Sequence, residues 1–262
     1  MSAVDAVDRF AQVVAGAPDE VDVEAAALLI GLAAEPDADL VAAERALDEL
    51  ATRAGSASPE AAVAATVGDG GLTGDRRTYY DPANSYLHRV LERRRGIPVT
   101  LAVAAAGVGR RLGVPLDVVG MPGHVLLGSP DRPGRWWDPF DGGRALDLAA
   151  VTALHARVVG GELHPSLLSP LDAHQVLIRM LNNLRGIAAA AGDRIGLART
   201  LALRNAVPGV PVAERVELAT ALAAGGRFGQ AADLLDALAG EVEGPEARRL
   251  QAGAVRLRAR SN

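Results

Sequence analysis

Arg94-Arg-Gly96-Ile-Pro98-Val-Thr100-Leu-Ala-Val-Ala-Ala-Ala-Gly-Val-Gly-Arg-Arg-Leu112-Gly113 begins the part of the sequence that decides the fold. Gly96-Ile97-Pro98 breaks the chain, and Pro98 suits the first turn of a helix over Val99–Leu112. Leu101, Val103, Ala104–Ala106 and Val108 make that helix apolar all round, so it is expected to be buried. Gly113 ends it as a C-terminal cap. Three strand candidates follow: Val114-Pro-Leu-Asp-Val-Val-Gly-Met121, then His124-Val-Leu-Leu-Gly128 after the Pro122-Gly123 kink, then Arg135-Trp-Trp-Asp138 before Pro139. A helix followed by strands joined by short turns is an α+β pattern.

Helices are expected on both sides. Before residue 67, Val4, Val7, Phe10, Val13 and Val14 recur at helical spacing, Leu28, Leu29 and Leu32 share a face, and Leu40, Ala43, Leu47 and Leu50 repeat at i, i+3, i+7 and i+10. Pro36-Asp37 stops one helix, Asp39 can cap the next, and Ser58-Pro59-Glu60 starts another. Gly68–Gly74 reads as a glycine-rich loop, and Asp81-Pro82 as the start of a helix reaching about Arg95. From about Leu171 the chain is helical again. There Gly192-Asp-Arg-Ile-Gly-Leu-Ala198 repeats as Gly225-Gly-Arg-Phe-Gly-Gln-Ala231 at an offset of 33 residues. That is close to the tetratricopeptide helix-turn-helix period. The expected organisation is a helical lobe over 1–70, a core over 71–165 and helical repeats over 170–262.

Composition excludes whole classes of chemistry. Cysteine is absent, and all 27 basic Lys+Arg positions are Arg. The chain has no thiolate nucleophile, disulfide, cysteine-held metal or cluster, lysine Schiff base or Walker-type phosphate loop. A net charge of −5 gives no general attraction to nucleic acid. No run approaches the ~18 apolar residues of a membrane span, and the acidic start is unlike a signal peptide, so a cytoplasmic location is expected. None of the five histidines pairs with another at i, i+4, and no metal or cofactor is expected.

The chemistry that remains centres on His124 and Asp138. If their strands pair as antiparallel neighbours, a His near the start of one lies beside an Asp near the end of the next. A ring held by a carboxylate is the orienting half of a nucleophile triad, and equally a buried His satisfied by a structural Asp.

Tyr79-Tyr-Asp-Pro-Ala-Asn84-Ser85-Tyr86-Leu87, Val90–Ala102 with its Gly96-Ile-Pro98, Arg110–Val114, Pro122-Gly-His124 and Trp137-Asp-Pro-Phe-Asp141-Gly-Gly143 together resemble the SirB-type transglutaminase-like family. Ala27–Ile30 and Arg179–Gly186 fit as well. The resemblance implies a helical N-terminal lobe, a transglutaminase-like (cysteine-protease-like) core with an antiparallel sheet, and C-terminal tetratricopeptide-like helices. In the wider superfamily the triad is Cys, His and Asp, with Cys at the start of the buried helix. The resemblance places Pro98 there, His124 at the His and Asp138 at the Asp. Proline has no nucleophilic atom and no N–H for an oxyanion. The Gly-Ile-Pro form is that of the SirB-type family, so the departure is from the superfamily's chemistry.

The expected function is therefore a non-catalytic, regulatory module that binds a peptide or protein, with no nucleic acid or membrane partner. Its binding residues are expected among Asn84, Tyr86, Gly123, His124, Trp136, Trp137 and Asp141. The alternative is a hydrolase or acyltransferase that uses His124 and Asp138 with a hydroxyl from Thr100 or Ser85, or with water.

Overall fold

In a computed structural model, which describes residues 2–260, the chain divides into two compact units, Met1–Met180 and Leu181–Asn262. The first unit opens with α1 (Ala3–Val14), α2 (Val23–Ala34), α3 (Leu40–Arg53) and α4 (Pro59–Val67). The caps are those that local chemistry dictates. Asp39 accepts from the Ala42 N–H and Ser58 from the Ala61 N–H, with Pro59 at the first position of α4.

A short parallel pair follows, β1 (Thr73–Gly74) with β2 (Arg95–Gly96), and between them lie a 3₁₀ turn Pro82–Asn84 and α5 (Leu87–Arg93). The helix expected from Asp81 to Arg95 is thus interrupted at Ser85-Tyr86. It ends with Arg94 in the left-handed region at φ 54°. The glycine-rich loop supplies a strand because the Asp75 N–H donates to the Gly96 carbonyl and the Thr73 N–H to the Arg94 carbonyl.

Next comes α6 (Pro98–Arg111), of which Pro98–Ala105 and Gly107–Gly109 are buried. It packs against α2, α3, α4, α5 and the sheet, as its all-round apolar sequence requires. At its far end, buried Glu24 of α2 receives Arg111 on both oxygens (2.7 and 2.9 Å) and Arg110 at 3.0 Å.

The sheet is an antiparallel meander: β3 (Asp117–Val119), β4 (Leu126–Gly128), β5 (Trp136–Asp138) and β6 (Arg144–Leu146), in that order. The three strands read from the sequence are present in shortened form. The fourth, together with α7 (Leu148–Val158), was not anticipated. Val119, Met121, Leu126, Leu146, Val151 and Leu154 form a core cluster that fastens α7 to the sheet.

The division between the units falls inside α8 (Ala173–Ala191). The first unit joins the residues assigned by sequence to the lobe and the core. The second unit begins at Leu181 rather than at 170, and it contains α9 (Arg194–Ala206), α10 (Val212–Ala224), α11 (Phe228–Ala239) and α12 (Gly244–Arg258). Each of these four helices packs on the next around Leu201, Leu218, Leu222, Leu235, Leu238 and Leu250. The two copies of the repeated sequence lie at the starts of α9 and α11, which begin 34 residues apart, at 194 and 228.

Candidate functional site

The Met121–His124 turn begins the site. Pro122 fixes φ and Gly123 adopts φ +71°, the pattern of a type II turn, closed by the His124 N–H donating to the Met121 carbonyl at 3.0 Å. Glycine suits position 123 because a side chain there would be strained at φ +71° and its Cβ would lie 2.6 Å from Val158 Cγ1 at the end of α7, which would have to move. Arg179 of α8 holds the turn from behind: its guanidinium donates to the Met121 carbonyl at 2.8 Å and to the His124 carbonyl at 2.6 Å. Burial pulls the Arg179 guanidinium below its ordinary range and pushes nearby Tyr79 above its own.

Strand register then sets the His–Asp pair. With Leu127 opposite Trp137, Asp138 falls opposite Leu126, and His124 lies one side-chain period further along the same face. His124 Nε2 is 3.0 Å from Asp138 Oδ1. The contact is close but lies off the ring's N–H axis, and Nε2 makes no aligned hydrogen bond. Asp138 Oδ1 also caps the 3₁₀ turn Pro139–Asp141, accepting from the Phe140 N–H (2.9 Å) and the Asp141 N–H (3.2 Å). Its charge is therefore held by the backbone, with the imidazole in close contact.

A cleft of about 270 Å³ opens beside the pair, lined by Arg76, His124, Asp138, Phe140, Asp141, Leu154, Arg157 and Val158. Asp141 is bound on both oxygens, by Arg76 at 3.0 Å and Arg144 at 2.9 Å. The Arg76 guanidinium sits 5.1 Å over the Phe140 ring, which meets His124 edge-on at 6.4 Å. The space is below the ~300–1,000 Å³ of a drug-sized pocket and suits one or two side chains.

The structure brings only part of the expected set to this cleft. His124, Asp138 and Asp141 line it, and Gly123 shapes it from behind. Asn84 and Tyr86 do not reach it. Asn84 is fully buried, donating to the Thr78 carbonyl at 2.7 Å and to Asp75 at 3.4 Å, and Tyr86 is buried beside His88. Neither tryptophan flanks the cleft, because alternation along β5 puts Trp137 in the core and Trp136 against the Val119–Leu154 cluster. Thr100 and Ser85 are fully buried and outside the lining, and Pro98 at the start of α6 is buried and outside it as well. The Thr100 hydroxyl has no hydrogen-bond partner. Sequence reasoning missed Arg76, Phe140, Leu154, Arg157 and Val158. Asp147 accepting from the Ala150 N–H is the cap signal that would have announced α7 and, with it, Leu154 to Val158. Among the described residues, no group of three or more His, Asp or Glu is placed to hold a metal ion. No helix there is long and apolar enough to cross a membrane.

This sheet, the buried α6 and the His–Asp pair fall within residues 41–182, the span matched by the family profile of the transglutaminase-like superfamily. The chain belongs to that superfamily. Curated relatives include a protein of Xylella fastidiosa named UPF0162, 40% identical over 172 residues, which are 63% of this chain and 61% of that protein. A UPF0162 protein of Vibrio cholerae is 33% identical over 123 residues, 44% of either chain. The mouse F-box only protein 21 is 31% identical over 132 residues, 45% of this chain and 20% of that protein. The matched part of this transglutaminase-like chain thus spans about three-fifths or less of these relatives. No solved structure matches it.

Proposed function

We propose that this chain is a non-catalytic transglutaminase-like protein, of the SirB type, that binds a peptide segment of a partner in the His124 cleft. The observation that carries the reading is a base and its orienter without a nucleophile. His124 and Asp138 are paired at 3.0 Å, whereas Pro98 stands at the position that resemblance aligns with the superfamily's Cys. The two hydroxyls that could replace a thiol, on Thr100 and Ser85, are fully buried and do not line the cleft. A nucleophile must come within about 3 Å of its base, and these are outside the space a substrate could enter. The imidazole is then free to serve as a hydrogen-bonding partner for a bound chain, oriented by Asp138. The consecutive helical hairpins α9–α12, with their 33-residue sequence recurrence, support a tetratricopeptide-type second unit. Such repeats present grooves suited to a peptide or helix.

Reactive probes test this directly. Fluorophosphonate and β-lactone reagents are expected to leave the full-length chain unlabelled, and p-nitrophenyl acetate turnover is expected to be the same in wild type and His124→Ala. A labelled Ser or Thr whose labelling disappears in His124→Ala overturns the proposal in favour of a hydrolase or acyltransferase. Binding is read by replacing Phe140 with a photo-crosslinking phenylalanine analogue. Crosslinks to extended segments of other proteins, competed by unmodified chain, are expected, and their absence counts against the reading.

A further inference from the structure

We infer that the His124 cleft selects a carboxylate, with the guanidinium of Arg157 as its anchor, so that the bound peptide is acidic at the residue entering the cleft. The inference rests on the peptide-binding reading above and names what the cleft recognises.

The first ground is charge already spent against charge still free. Asp141 is committed on both oxygens, to Arg76 and Arg144, and Asp138 on Oδ1, to two backbone N–H groups with the His124 ring 3.0 Å away. Arg157 also lines the cleft, and among the described residues it makes no ion pair or hydrogen bond. Two guanidinium groups, Arg76 and Arg157, and two carboxylates line the cleft; Arg144 pairs with Asp141 from outside the lining, which leaves Arg157 as the uncompensated charge in a chain whose net charge is −5. An unpaired arginine beside carboxylates that already hold donors is the group at this cleft that attracts an anion.

The second ground is shape. Leu154 and Val158 form an apolar wall next to Arg157, one turn apart on α7, and Phe140 supplies an aromatic edge. The volume of about 270 Å³ admits a short aliphatic stem ending in a planar anionic group. A guanidinium fork matches a carboxylate at two points, and the imidazole of His124 offers a third donor when it carries a proton on the ring nitrogen facing the ligand.

The third ground is fixity. α7 is fastened to the sheet through Val151 and Leu154, which pack with Met121, Leu126 and Leu146, so the helix that carries Arg157 and the turn that carries His124 rest on one core cluster. Preorganised donors lose less entropy on binding.

The experiment uses full-length protein and two terminally blocked hexapeptide pools, identical except for Glu or Gln at one fixed position, with binding read by NMR at the His124 ring. The Glu pool is expected to shift the His124 signals at concentrations at least tenfold lower than the Gln pool. Arg157→Gln is expected to erase that difference while leaving the melting temperature unchanged, since Arg157 is exposed and has no ion-pair or hydrogen-bond partner among the described residues. Equal binding of the two pools at His124 overturns the carboxylate preference and leaves the peptide-binding reading standing. If neither pool perturbs His124, both fall. A Glu preference that survives Arg157→Gln overturns the role of Arg157.

Discussion

Asp75 offers the sharpest quantitative test of how the region around α6 is held together. Its carboxylate is buried at 4% exposure and accepts from the Arg77 N–H (3.0 Å), the Thr78 N–H (2.9 Å), the Thr78 hydroxyl (2.6 Å) and the Asn84 amide (3.4 Å). The Thr78 hydroxyl and N–H bonds lead in stabilising the charged form, outweighing burial, and the group titrates at about 2 rather than 3.8. A depressed pKa means that the folded state prefers the ionised carboxylate, so the stabilisation is complete above the unfolded pKa and is lost as pH falls through the folded one. Nearly two pKa units correspond to about 2 kcal/mol at 1.36 kcal/mol per unit. Asp75→Asn should therefore lose about 2 kcal/mol at pH 7, and its deficit against wild type should shrink from pH 5 downward and nearly vanish by pH 2. Urea unfolding followed by tryptophan fluorescence suits the measurement, because both tryptophans, Trp136 and Trp137, belong to the first unit and report on it selectively. Unfolding midpoints of wild type and variant that coincide at pH 7 would refute the reasoning, as would a deficit that stays constant down to pH 2.

The same fluorescence assay checks three further substitutions. His124→Ala should lose only about 1 kcal/mol, since Asp138 keeps its two backbone donors; a loss beyond about 3 kcal/mol would make His124 a structural strut. Gly74→Ala should lose about 2 kcal/mol, because its Cβ would lie 2.5 Å from the Phe140 carbonyl oxygen and 2.6 Å from the ring; an unchanged midpoint would mean that the Pro139–Asp141 turn shifts freely. Glu24→Gln should lose about 2 kcal/mol, less than a fully buried pair, because Arg111 keeps Asp48 at 2.6 Å and Arg110 is more than half exposed; no loss would show that solvent replaces the carboxylate there. Arg179→Met removes both donations to the Met121–His124 turn, and the His124 ring signals should broaden by NMR even where the unfolding midpoint moves by only about 1 kcal/mol; unchanged signals would show that Gly123 and Val158 suffice to fix the turn.

The sequence by itself determined what is local and what is strongly patterned. The caps at Asp39 and Ser58, the buried helix from Pro98 and the three strands around Gly123 follow from side-chain chemistry within a few residues. The His124–Asp138 pair was also legible, because strands joined by a short turn leave few registers open. Absence of cysteine was equally plain in the residue list, and it decides what Pro98 cannot do. Interruption at Ser85-Tyr86 was not legible: it accompanies the pairing of Thr73 with Arg95 and of Gly74 with Gly96, each across 22 residues. Nor could alternation alone tell which face of β5 meets the core, and hence that both tryptophans are withdrawn from the cleft. The cleft's own lining came from tertiary structure alone. Arg76, Phe140 and Arg157 are separated by up to 81 positions in the chain, and they converge because α7 packs onto the sheet through Val151 and Leu154, a long-range hydrophobic contact that no local spacing encodes.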